Sequence, residues 1–253
     1  MISKWKLGLC LLALPYCVPL AVAGPAAGSE TEVSSYLYNV PGLEESVAKA
    51  IKAGTATAEQ YFEAGNMADK ADDMMATAYL YRLAADNGHA LAQVRTANIL
   101  YGSGWYARAL HYFLMAAEQG NADGMYGAAI TIMGSYKEGE FTGDMAGNDF
   151  VGARKWLAQA AEQGHSASIT YLAKAYLDGG LGLDNDAMNG PDALPWIKRA
   201  ADIDYPPAVE ALAKAYRSGQ YGLTADPTQA DEWDAKAKKL KGIKEIKKGK
   251  QRR

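Results

Sequence analysis

The chain has 253 residues, with 26 lysines and arginines against 29 aspartates and glutamates, three histidines and two cysteines. Both cysteines, Cys10 and Cys17, fall near the N-terminus, so the remainder excludes disulfides, thiol catalysis and cysteine-ligated zinc. The net charge of −3 conceals a division: residues 24–235 hold 14 basic against 28 acidic residues, while 236–253 hold 10 basic residues and one acid, Glu245. An acidic body with a basic extension argues against nucleic acid as a partner.

In chain order, residues 1–23 read as a secretory signal peptide. Lys4 and Lys6 supply the positive start, an apolar stretch over 7–20 is broken by Pro15 and Pro19, and Ala21-Val22-Ala23 supplies small residues for cleavage. The stretch is too short and too interrupted to be a comfortable membrane span. Tyr16 and Pro15 precede Cys17, where a lipid-modified cysteine would follow a small residue. The mature protein is therefore expected in the periplasm or outside the cell. Residues 24–41 read as a flexible arm. Residues 43–52 and 57–64 read as helices, with 69–75 leading onward, and 42–75 together form an N-terminal helical cap.

A repeat then runs along the chain. Ala84-Ala85-Asp86-Asn87-Gly88-His89-Ala90 aligns with Ala116-Ala117-Glu118-Gln119-Gly120-Asn121-Ala122. Both align with Ala160-Ala161-Glu162-Gln163-Gly164-His165-Ser166 and with Ala200-Ala201-Asp202-Ile203-Asp204-Tyr205-Pro206. Each copy predicts a first helix bearing aromatics, over 79–85, 110–117, 156–161 and 196–201. A glycine ends that helix in three of the four copies. A second helix follows over 90–101, 122–134, 166–177 and 207–217, and in three copies it exits through an aromatic residue and glycine. Ile169, Leu172, Ala173 and Tyr176 repeat at i, i+3, i+4 and i+7, as do Val209, Leu212, Ala213 and Tyr216. One such pair cannot bury both its faces, whereas stacked pairs can. The fold class expected is all-α, a right-handed superhelical solenoid of antiparallel helix pairs over 76–240, followed by a basic tail over 241–253.

The run Trp156-Leu157-Ala158-Gln159-Ala160-Ala161-Glu162-Gln163-Gly164-His165-Ser166-Ala167-Ser168 resembles a Sel1-like repeat, a relative of the tetratricopeptide repeat. Leu212-Ala213-Lys214-Ala215-Tyr216-Arg217-Ser218-Gly219-Gln220-Tyr221-Gly222-Leu223 resembles the second half of the same unit, and Asp226, Ala230 and Trp233 resemble the opening of another. Three departures stand out: an insertion over 137–148, a stretched exit over 179–191, and Asp204 in the place of the usual glycine. The resemblance implies a protein-binding scaffold, of the kind that serves as an adaptor in envelope complexes for secretion, polymer export or signalling.

Little in the chain points to catalysis. His89 and His165 recur with the repeat, which assigns them a structural role. His111 stands alone, and no serine, histidine and aspartate order suggests a triad. The loop over 178–192 holds Asp178, Asp184, Asn185, Asp186, Asn189 and Asp192. These are donors a hard cation accepts, but the spacing is not that of a calcium loop. No enzyme activity, cofactor or metal is therefore expected.

Tyr101, Trp105 and Tyr106 cluster at a glycine-rich turn and are the candidate binding anchors. In the tail, Lys244, Lys247, Lys248, Lys250, Arg252 and Arg253 leave three readings open. They are a solvated extension, weak contact with an anionic membrane or acidic polymer, or docking on an acidic body. The function expected is a periplasmic scaffold that binds another protein. The alternative is an immunity protein whose acidic surface plugs the basic cleft of a secreted effector such as a phospholipase.

Overall fold

The computed structural model describes residue 37, residues 40–134 and residues 149–251, with side chains through residue 242. The leader, most of the arm and the insertion over 137–148 lie outside the described residues. Within them, helix follows helix and no strand occurs. The elements are α1 (Glu45–Lys52), α2 (Ala58–Lys70), α3 (Met74–Asp86), α4 (Ala90–Gly102), α5 (Tyr106–Glu118) and α6 (Ala122–Gly134). They continue with α7 (Phe150–Glu162), α8 (Ser166–Asp178), α9 (Asn185–Asn189), α10 (Leu194–Asp202), α11 (Pro206–Ser218) and α12 (Pro227–Gln251).

Polar side chains set several of the helix starts. Thr57 and Gln60 form a reciprocal capping box on α2. Asp73 accepts the Ala76 N–H, Asp149 the Gly152 N–H and Asp226 the Gln229 N–H. These caps explain why α3 and α7 begin well before the aromatic residues that marked them in the sequence. The ends are set by left-handed backbone: Gly88, Gly120 and Gly164 have φ of +89°, +84° and +85°. Asp204, at the same place in the last copy, adopts φ of +62° without being glycine. Its carboxylate pairs with Lys236 at 2.9 Å, and the same ammonium donates to the Ala201 carbonyl at 2.7 Å.

Consecutive helices pack on one another, and the second helices also meet across repeats, α4 against α6 and α8 against α11. That dual neighbourhood makes the stack an all-α solenoid. The alanine pairs Ala84-Ala85, Ala116-Ala117, Ala160-Ala161 and Ala200-Ala201 are all 2% exposed or less, so first and second helices approach closely. Larger side chains fill the interior on either side: Leu80, Leu157, Leu172, Ile197, Val209 and Leu212. Tyr112 packs against both the N-terminal core and the next cluster, and Trp156 joins that cluster to the C-terminal core. Leu37 and Val40, from the segment read as an arm, are buried in the N-terminal core.

Two segments are folded against the body of the stack. The stretched exit over 179–191 is one of them. Leu181 is buried, Arg154 donates to its carbonyl, and Asp184 caps the short helix α9. The basic run is also docked where it begins. Lys236 holds Asp204 and Lys241 pairs with Glu210 at 2.9 Å, so these lysines lie on the protein's own acidic body.

Candidate functional site

Helical spacing alone puts Leu91, Val94, Arg95, Asn98 and Tyr101 on one face of α4, and Asp123, Tyr126, Gly127, Ile130 and Thr131 on one face of α6. The two faces border a single open groove of about 440 Å³, floored by Phe113 from α5. The floor is high because α6 lacks a side chain where the ring sits. A Cβ built on Gly127 would lie 2.3 Å from the Phe113 ring. Glycine inside a helix costs about 0.5–1 kcal/mol relative to alanine, and the close approach of the aromatic ring accounts for its presence here.

The groove has apolar walls and an uneven distribution of charge. Asp123, at one end, is held by His165 Nε2 at 3.2 Å. His165 Nδ1 accepts the N–H of Ser168, so Nε2 carries the proton and donates to the carboxylate. Arg95, which is exposed, makes no hydrogen bond or ion pair with a described residue, nor does the Asn98 amide. Burial raises the Tyr126 hydroxyl above its usual pKa, and Tyr171 and Tyr101 add to the effect. At neutral pH it is thus a neutral hydrogen-bonding group.

The three aromatic residues singled out in the sequence separate. Tyr101 lines the groove. Tyr106 stands edge-on to it, with ring centroids 5.1 Å apart and planes at 73°. Trp105 is outside the lining, 56% exposed at the turn between α4 and α5, with the Arg108 guanidinium 4.9 Å from its ring centroid. Lys244, Lys247, Lys248 and Lys250 belong to the helical backbone of α12, which packs on α11 rather than beside α4 and α6. Arg252 and Arg253 lie outside the described residues.

Arg95, Asn98, Asp123, Tyr126 and Ile130 were missed by the sequence reading. Their signal was the spacing of exposed residues on the second helices, which shows a shared groove only once α4 and α6 are known to be neighbours. A second, smaller hollow of about 200 Å³ lies beside Asp72, Met74, Thr77 and Ile99, at the edge of the stack. Among the described residues no cluster of three or more histidine, cysteine or acidic side chains could hold a metal. No described helix is long and apolar enough to cross a membrane.

No family model matches the sequence, and no curated protein matches it significantly. Solved structures do match. A protective antigen of uropathogenic Escherichia coli, described as displaying an SLR fold, superimposes with a TM-score of 0.53 at 23% identity, over 83% of this chain. This chain spans 41% of that protein's length. A Sel1 repeat protein from Oxalobacter formigenes gives 0.49 at 22% identity, covering 83% of this chain and 77% of that one. Another protein described as a Sel1 repeat protein, from Klebsiella pneumoniae, gives 0.42 at 17% identity, covering 84% and 99%. The first of these likenesses agrees with the helix-pair architecture: the fold is that of Sel1-like repeats.

Proposed function

We propose that this chain is a non-catalytic protein-binding module whose partner seats in the groove between α4 and α6, and that it works as an adaptor in an envelope complex on the far side of the inner membrane. The observation that carries the binding reading is the groove itself: an apolar-walled channel in which no described residue engages Arg95 or Asn98, with Tyr101 and Tyr126 along its sides. Concave surfaces of this kind are what stacked helix pairs supply, and aromatic side chains with polar ends suit a partly wetted interface. The placement beyond the inner membrane rests on the leader-like first 23 residues, with their lysines, apolar stretch and small residues before Gly24.

Ile130 is half-buried on the groove wall, so Ile130→Glu sets a charge there with little demand on the core. Affinity capture from envelope extracts of the source cells, followed by mass spectrometry, is expected to recover a discrete partner with the native protein and to lose it with Ile130→Glu. Recovery of the same set by both proteins would contradict the reading.

A further inference from the structure

We propose that the groove between α4 and α6 selects an extended segment of its partner in which a carboxylate side chain lies close to an aliphatic or aromatic one, with Arg95 receiving the carboxylate. The inference rests on reading this groove as the partner site and adds the chemistry of what enters it.

Charge carries the first part. The body of the chain has twice as many acids as bases, so a further acid is repelled over most of its surface. The groove is a local exception. Its acid, Asp123, is already bonded to His165, while Arg95 faces the groove with no acid among the described residues within ion-pairing distance. An arginine against partly apolar walls offers a planar set of donors that matches a carboxylate, and the pairing gains strength where water is displaced. A positive point within a negative body therefore favours an acidic residue at this place and rejects a basic one.

Shape carries the second part. α4 and α6 pack directly on one another, and the open hollow between them is about 440 Å³, a volume that a helix of about 10 Å diameter would fill within about one turn and that suits a short extended stretch with its side chains. Asn98 lies one turn from Arg95 on the same face, with its amide engaged by no described residue. It can both donate to and accept from a peptide backbone. Val94, Ile130 and the Phe113 ring then leave an apolar floor for the neighbouring side chain.

The test uses a displayed library of short random peptides selected on the whole protein, with binding of the enriched peptides measured by fluorescence anisotropy. The enriched sequences are expected to carry aspartate or glutamate within a few positions of a large apolar residue. Replacing that acid by its amide, or Arg95 by glutamate, should weaken binding about tenfold or more. A peptide with lysine in place of the acid should recover binding to Arg95→Glu. Asn98→Ala, which leaves all charges in place, should weaken every enriched peptide.

Absence of enrichment overturns the inference, as does enrichment without acids. Peptides blocked by Ile130→Glu but indifferent to Arg95→Glu also overturn it, and leave the groove standing as the binding site. Peptides indifferent to both changes overturn the groove reading too. Self-association that Ile130→Glu dissolves would make a second copy of this chain the occupant and would equally overturn it.

Discussion

His165 donates from Nε2 to Asp123 at 3.2 Å while its Nδ1 accepts the N–H of Ser168, so one imidazole both caps α8 and fastens it to the first turn of α6 in the preceding repeat. The same device joins α4 to α2: His89 Nδ1 accepts the Ala92 N–H at 3.1 Å, and Nε2 meets Glu59 at 3.1 Å. Glu59 and Asp123 each occupy the second position of their helices, which gives α2 the place of a second helix in a repeat upstream of those visible in the sequence. Thr57, His89 and Asn121, the three caps of α2, α4 and α6, agree with this, being evenly spaced along the chain.

The cap and the fastening can be separated. His165→Ala loses both and should destabilise the fold by about 1–2 kcal/mol. His165→Asn keeps a capping acceptor but cannot reach Asp123, and should cost less than half as much. Urea denaturation of the two variants, read by circular dichroism, distinguishes them. Equal losses would show that the cap contributes nothing beyond the link between repeats.

Two glycines in helices have opposite reasons to be there. Gly127→Ala drives a methyl group into the Phe113 ring and should cost about 1–3 kcal/mol through overpacking. Gly102→Ala meets nothing within 4 Å and should stabilise by about 0.4–1 kcal/mol by restricting the unfolded chain. Denaturation midpoints that move in opposite directions satisfy the account.

Thr96 Oγ1 is buried in α4 with no hydrogen-bond partner among the described residues. Thr96→Val replaces the hydroxyl with a methyl group of similar size and removes an unsatisfied polar atom, so stability should rise by about 1 kcal/mol. A lower denaturation midpoint for this variant would mean that the hydroxyl is satisfied in solution.

Alkaline stability should fail through tyrosine. Burial, followed by the hydrogen bond to Asp86 at 2.6 Å and that carboxylate's charge, raises the Tyr112 pKa well above its ordinary value near 10. Tyr61, Tyr81, Tyr126, Tyr176, Tyr205 and Tyr221 are raised as well, with burial the largest cause in each. A raised phenol pKa means that the folded state keeps its proton longer than the unfolded one. The stability it contributes is complete below about pH 10 and is lost as pH climbs towards the folded value. Tyrosinate absorbance should therefore rise together with unfolding above pH 10, and Tyr112→Phe should make that loss shallower. Ionisation of all tyrosines at pH 10 in a folded protein would contradict the burial.

The repeat was legible because its punctuation is local. Gly88, Gly120 and Gly164 stop helices by backbone conformation, and the alanine pairs just before them recur because small residues are needed at each helix crossing. The second helix of the second copy, α6, begins where it was expected, at Ala122. Other features were set by distant contacts and could not be read in advance. Leu181 is ordered by the carbonyl bond from Arg154 and by the core it enters. The groove was hidden for the same reason. Arg95 and Ile130 are 35 residues apart in the chain and meet only through the packing of α4 on α6. Tyr101 was found because an aromatic residue beside glycines is conspicuous, whereas Asn98 in mid-helix is not.

The binding claim is tested most directly by photo-cross-linking in the source cells, with a benzophenone amino acid placed at Ile130 or Asn98 in the groove and, for comparison, at Lys198 on α10. The account predicts one discrete adduct, the same protein from both groove positions, and none from Lys198. No adduct from the groove, or the same adducts from all three positions, would contradict it.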